Sequence, residues 1–243
     1  MRSFIAALQF LTLFPWPKSA DGSDDKVGAA AIFFPVIGFL LGVILALVNF
    51  LLEPFARPEL SSVVLVTILA LLTRGLHLDG LGDTFDGLGA AGDRERILQV
   101  MDDSHTGAFG LTAIVLLLFF KIHAIGSIET ERWRALLAAP LLGRWAMVLL
   151  GYGSQPAKPG LGSNLINNLE TKHVLLATLI TLILVAAILH GSGIALMIWI
   201  AIFALASKKY FHRRLGGVTG DTFGAVGELS EASVLVFLAL GPQ

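Results

Sequence analysis

From residue 30 to residue 52 the chain carries no charged side chain. About 20 apolar residues cross the hydrocarbon core of a bilayer as an α-helix, and a helix satisfies its backbone hydrogen bonds within itself. Such a run therefore restricts the chain to a membrane-spanning helical fold. Further apolar runs stand at 62–76, 109–125, 135–152, 174–190 and 194–207, with a shorter, weaker one at 232–240 that begins near Gly227. Only 14% of the residues are charged, against about 25% in soluble domains. The expected fold is all-α: a single polytopic membrane domain over 1–243, with about seven transmembrane helices. Pro35 and Gly38 predict a kink in the first span. Residues 1–17 carry one charge, Arg2, and their apolar stretch, 4–14, is short and ends in Phe14-Pro15-Trp16-Pro17. No small-x-small cleavage pattern follows closely, so the stretch reads as a retained N-terminal interfacial or re-entrant helix. Residues 18–27 read as a polar linker.

Lysines and arginines sort the connecting segments into two sides. One side takes Arg2, Lys18, Lys26, Arg74, Arg94, Arg96, Lys158, Lys172, Lys208, Lys209, Arg213 and Arg214; the other takes Arg57, Arg132 and Arg134. This bias places the N-terminus and the segments 77–108, 153–173 and 208–228 on the cytoplasmic face of the membrane. Lys121 and Arg144 fall within spans. There are no cysteines, which excludes disulfides and thiolate-held zinc or iron–sulfur centres. The six histidines show no HExxH or HxxxH pairing; His123 and His190 sit in apolar runs and read as packed or interfacial. The net charge of −1 carries no information about partners.

The stretch HLDGLGDTFDGLGAAGDRERILQVMDDSHTGAFG, residues 77–110, carries the chemistry. Asp79, Asp83 and Asp86 stand at i, i+4 and i+7, which puts three carboxylates within roughly 60° of one helical face. Like charges so placed repel unless a cation sits among them, most simply a divalent metal. A short basic helix carrying Arg94 and Arg96 follows, then Asp102 and Asp103. Gly75, Gly80, Gly82, Gly87, Gly89 and Gly92 surround the acidic residues, and the reading assigns them to close approach of backbone or ligand. An Asp- and Gly-rich segment is commonly only a solvated connector. Here the helical spacing and the abutting apolar run favour a site for a phosphate ester or diphosphate.

The 208–228 stretch reads as a second loop, basic at first and then LGGVTGDTFGAVGE. Its lysines and arginines mark the end of a helix. Asp221 and Glu228, seven residues apart, share a helical face and lie on the same side of the membrane as the first acidic segment. Arg144 lies inside a span, where an arginine is costly and needs a partner; phosphate and a site carboxylate are both candidates. Lys121 reads as a snorkelling side chain.

Together these motifs resemble the cobalamin synthase family, the adenosylcobinamide-GDP ribazoletransferases. The resemblance rests on His77–Gly87, Arg94–Arg96, Met101–Gly110 and Leu215–Glu228. Phe10, Thr12, Pro15 and Pro17, and then Phe34, Pro35 and Gly38, add shorter themes. Asp102 and His105 depart from the family pattern, which commonly has a basic residue at the first. The resemblance implies transfer of the cobinamide-linked phosphoryl group of adenosylcobinamide-GDP to a ribose hydroxyl of α-ribazole or its 5′-phosphate, with release of GMP. It implies Mg²⁺ as cofactor, held by Asp79, Asp83 and Asp86. Asp103 is the expected general base or a further ligand, with Asp83 and Arg94 also catalytic. Arg96, Arg144, Ser104, Gly107, Thr219, Asp221 and Glu228 are the expected substrate contacts. The implied partners are the two substrates and the lipid bilayer of a cytoplasmic (inner) membrane, with no nucleic acid; homo-oligomerisation stays open.

Two other classes fit parts of the pattern. CDP-alcohol phosphatidyltransferases also use a DxxDG core among membrane helices, but want Ala-Arg shortly after it; here Leu88, Gly89, Ala90 and Ala91 follow Asp86-Gly87. An ion or proton transporter would use intramembrane carboxylates, yet this acidic cluster ends a span, beside arginines, and the chain shows no repeated half.

Overall fold

The computed structural model describes residues 2–12 and 25–241. Residues 18–24 of the polar linker and the Pro15–Pro17 theme lie outside the described residues, while 25–27 open α2, a helix where a linker was expected. Twelve α-helices and one 3-10 turn account for the described fold, with no strand among them. In chain order they are α1 (Arg2–Leu11), α2 (Asp25–Ala30), the 3-10 turn (Ala31–Phe33), α3 (Phe34–Leu52), α4 (Pro58–Leu72), α5 (Leu76–Gly89), α6 (Arg94–Met101), α7 (Ala108–Ser127), α8 (Arg132–Gly151), α9 (Leu161–Asn167), α10 (Thr171–Leu189), α11 (Ser192–Leu215) and α12 (Gly220–Leu240). Six stretches are long and apolar enough to cross a membrane, namely Gly28–Leu52 and helices α7, α8, α10, α11 and α12. The α4–α5 pair, bent by 88°, makes a seventh if taken together. The protein is a multi-pass, all-α membrane bundle.

The bundle is built around α8, most of which is buried. Helices α3 and α12 pack most extensively against it, and α10 and α11 cover its remaining flank. Small residues let the backbones approach: a side chain at Gly38 or Gly42 of α3 would run into the α8 backbone at Pro140 or Leu136–Leu137. Gly38 thus serves contact rather than bending. Pro35 sits in the first turn of α3, where its missing N–H costs nothing. The outward faces of α3, α7, α10 and α11 carry exposed Leu47, Phe50, Phe119, Phe120, Ile183 and Ile202. Such continuous apolar exposure is what a lipid-facing surface requires.

Three boundaries differ from the sequence reading. The span placed at 62–76 is Pro58–Leu72, and the chain breaks at once through Arg74 (φ 58°) and Gly75 (φ 66°). Two successive left-handed residues turn α5 across the direction of α4. The 208–228 stretch is no loop. Helix α11 continues through the basic residues to Leu215, with Gly216 left-handed at its C-terminus, and α12 starts at Gly220. Residues such as Lys208, Arg213 and Arg214 are good helix formers, and positive charge at a helix C-terminus is stabilising. The last span, expected at 232–240, therefore runs the full 21 residues from Gly220 to Leu240.

Candidate functional site

A cleft of about 900 Å³ opens where the end of α1, the α4–α5 break, the segment before and into α9, and the start of α12 meet. Asp79 and His77 line it from α5, Lys158 from the segment after α8, and Asp221 from α12. The two acidic motifs of the sequence thus meet at one end of the bundle. Asp79 and Asp221 each sit in the first turn of their helix, where the helix dipole favours a carboxylate.

Local structure explains the placement of Asp221. Thr219 caps α12: its hydroxyl accepts from the Thr222 amide at 3.2 Å, and the Thr222 hydroxyl accepts from the Thr219 amide at 2.9 Å. The Thr219 hydroxyl also lies 3.2 Å from an Asp221 carboxylate oxygen, to which it donates. The turn between α11 and α12 is tied to the segment after α8. The Val218 amide donates to Gln155 and the Ala157 amide to Val218, each at 2.9 Å. This places Lys158 against the start of α12. Its ammonium pairs with Asp102 at 2.6 Å and Asp221 at 2.9 Å. Burial alone would lower the Lys158 pKa, but its hydrogen bonds to the Asp102 and Asp221 carboxylates, with their charge, outweigh it and hold the pKa above the ordinary value.

Helices α5 and α12 approach at glycine. A side chain at Gly80 would strike the backbone of Asp221, and one at Gly224 the backbone of His77. Gly82 faces α7 and Gly87 faces α6. Gly80, Gly82 and Gly87 thus serve close approach of helices, one of the two uses the sequence suggested, while Gly75 lines the cleft with nothing within 4 Å of the place of a side chain. Helix packing brings Asp83 within electrostatic reach of Asp79, Asp221, Asp86 and Lys158.

The other expected residues are distributed differently. Asp86 accepts hydrogen bonds from the amides of Gly107 (2.7 Å) and Gly110 (2.8 Å), so it caps the start of α7. Gly107 contributes that amide and does not line the cleft. Arg94 donates to the Ala157 carbonyl at 3.2 Å and covers Gly216. Arg96 donates to Gln99 at 2.9 Å. Asp103 and Ser104 are exposed in the turn after α6 and do not line the cleft. The amide and ring of His105 bond to Asp103. The backbone bond, then the ring, lowers the Asp103 pKa, which makes it a weaker proton acceptor.

Arg144 and Glu228 are not at the cleft surface. Both are buried among α7, α8 and α12, with Arg144 wholly enclosed. Arg144 forms an ion pair with Glu231, and a guanidinium nitrogen lies 3.3 Å from Nδ1 of His77. Of the two partners weighed for Arg144, the structure supplies a carboxylate, though not one at the cleft. Lys121 does not snorkel: its ammonium is buried, 2.5 Å from both Glu228 and Glu231. Sequence reasoning gave no role to Lys158, His77 or Glu231. Lys158 was visible only as one of many cytoplasmic lysines. Glu231 stands three residues after Glu228, a helical spacing that could have marked it.

The acidic residues at the cleft offer carboxylate oxygen, the chemistry a hard divalent cation takes. Among the described residues no three His, Asp or Glu side chains converge on one metal position. Mg²⁺ commonly takes one or two carboxylates and completes its shell with water and substrate phosphate. Asp79 makes no side-chain hydrogen bond or ion pair among the described residues, and Asp83 lies one turn further along the same face. These two fit such a cation better than Asp86, whose oxygens are engaged by amides.

A family model described as cobalamin-5-phosphate synthase matches residues 3–239. A protein of Geotalea daltonii named adenosylcobinamide-GDP ribazoletransferase is 40% identical over 239 residues, 98% of this chain and 97% of its own. One of that name from Pseudomonas syringae is 39% identical over 246 residues, covering 99% and 100%. Another from Caldanaerobacter subterraneus is 34% identical over 244 residues, covering 99% and 98%. No solved structure matches the chain.

Proposed function

This chain belongs to the cobalamin-5-phosphate synthase family, and from that premise we propose that it joins adenosylcobinamide-GDP to α-ribazole or α-ribazole 5′-phosphate with release of GMP. The observation that carries this reading is the meeting of Asp79 and Asp221 with Lys158 in one cleft at the end of a membrane bundle. A cation and paired carboxylates there suit a diphosphate that must be held and cleaved. The cleft faces the cytoplasm of an inner membrane, in keeping with the lysine and arginine bias.

The ribose hydroxyl oxygen attacks the phosphorus attached to cobinamide. A new P–O bond forms and the bond to the bridging oxygen breaks, so that oxygen leaves with GMP. Asp79 and Asp83 would hold Mg²⁺, which when bound would neutralise charge on the diphosphate. Lys158 is drawn from Asp221 towards the incoming phosphate while Asp102 keeps it anchored. Asp221, released from its ammonium partner, takes the proton of the attacking hydroxyl. Asp103 is the rival base and would need the turn after α6 to reach the cleft.

Purified protein given adenosylcobinamide-GDP, α-ribazole 5′-phosphate and Mg²⁺ should release GMP and cobamide in equal amounts. Excess EDTA should stop the reaction and added Mg²⁺ should restore it. Full turnover in EDTA would remove the metal from the reading; no GMP under any condition would remove the reaction.

A further inference from the structure

His77 lines the cleft and takes no part in the metal, phosphate or proton roles of Asp79, Asp83, Lys158 and Asp221. It is 4% exposed, in the first turn of α5, two residues before Asp79. Its Nδ1 lies 3.3 Å from a guanidinium nitrogen of Arg144. A guanidinium carries five N–H donors and no acceptor. The nitrogen that faces it must present a lone pair, and the ring hydrogen then sits on Nε2. Arg144 is itself held by its ion pair with Glu231, and Glu231 by Lys121. The chain Lys121–Glu231–Arg144–His77 thus runs from the bundle interior to the cleft and fixes one imidazole tautomer at its end. Nε2 has no hydrogen-bond partner among the described residues, and His77 is among the residues that line the cleft where the diphosphate would lie.

We infer that His77 is a further substrate-binding residue: with Arg144 fixing its tautomer, Nε2–H donates a hydrogen bond to a non-bridging phosphate oxygen of the diphosphate. The inference rests on the transferase reading for its ligand but not for its tautomer. A donor whose direction is set before substrate arrives stabilises charge that builds on phosphoryl oxygen without reorganisation during the reaction. Arg144 and Glu231 act through His77 and are positioning residues.

The test uses the full chain in detergent, labelled with ¹⁵N-histidine, with the His77 signals assigned by their loss in His77→Gln. The expected spectrum shows an unprotonated Nδ1 and a protonated Nε2, and inorganic pyrophosphate with Mg²⁺ shifts the Nε2 signal. A hydrogen on Nδ1, or no shift with pyrophosphate, overturns the inference. In the kinetic arm, His77→Phe lowers kcat about 10²- to 10³-fold with KM little changed, the usual effect of losing one such donor. His77→Gln, which keeps an N–H near that position, recovers about tenfold or more of the loss. A Gln variant as slow as Phe, with an unchanged melting midpoint, would mean that the ring only fills space. If neither variant folds, the wild-type spectrum decides. If wild-type protein releases no GMP, the transferase reading fails while the nitrogen and pyrophosphate results still judge His77.

Discussion

Helix α12 carries acidic residues in two settings, and they do opposite work. Asp221, in its first turn, borders an open cleft and pairs with a lysine that also holds Asp102. Glu228 and Glu231, two to three turns further on, are sealed among α7 and α8 against Lys121 and Arg144. At the cleft a carboxylate keeps access to water and ligands, so its charge is available for exchange. In the interior both signs are locked, because an unpaired charge there would bear a desolvation cost of several kcal/mol. Acidic residues of one helix are therefore open to a ligand at one end of α12 and sealed in ion pairs in the middle.

The sharpest way to break this contrast is to unbalance the interior. Glu231→Ala leaves Arg144 and Lys121 undercompensated and should cost about 3–5 kcal/mol of stability, read as a lower thermal midpoint in detergent. Activity per folded molecule should fall as well, because Arg144 loses the partner that holds it against His77. Lys121→Met combined with Glu228→Gln removes one charge of each sign and should cost less than Lys121→Met alone. If Glu231→Ala melts like wild type, the interior cluster is not architectural.

The cleft should respond the other way round. Asp221→Asn should lower kcat about 10²- to 10³-fold, and Asp79→Asn should raise the Mg²⁺ concentration for half-maximal rate. Neither should move the melting midpoint much. A large loss of stability in either would merge the two regions into one.

An intermediate effect is expected where the regions touch. A methyl group at Gly224 would come within 3.0–3.1 Å of the His77 backbone, closer than the neighbours tolerate without shifting. Gly224→Ala should lower kcat by about tenfold through displacement of α5 against α12, with a stability cost of about 1–3 kcal/mol. An active, fully stable variant would show that the two helices need not approach so closely.

The smallest effect separates two sequence-level assignments. Asp103 outside the cleft should tolerate Asp103→Asn with a change of about twofold, as for other exposed positions. A loss of about 10²-fold or more would restore it as the base.

Much of this fold is legible in the sequence because lipid imposes a simple rule. The runs at 30–52, 109–125 and 174–190 are apolar throughout or nearly so, and each is a helix. The α4–α5 break is not legible, since Arg74 gives no sign of its left-handed backbone and helical spacing resumes at once. The start of α12 was readable from Thr219 followed by Asp221 and Thr222, an N-cap pattern, but the surrounding glycines and lysines argued for a loop. At the site, the spacing of Asp79 and Asp83 and the presence of Asp221 marked two motifs that the fold brings to one end of the bundle. What the spacing could not reveal was occupancy. Asp86 is engaged by amides from α7, and Arg144 by a glutamate 87 positions away. Both partners are brought close by tertiary packing and leave no local trace.

The contact of Gly80 with the Asp221 backbone, mirrored by Gly224 with His77, has a consequence for how the cleft is calibrated. Main chain rests on main chain there, so the gap between the Asp79 and Asp221 helices is gauged by atoms that every sequence shares and no rotamer can alter. Side chains around the cleft can vary without moving that spacer. Widening the gap takes a substitution at one of two glycines, and narrowing it is sterically closed.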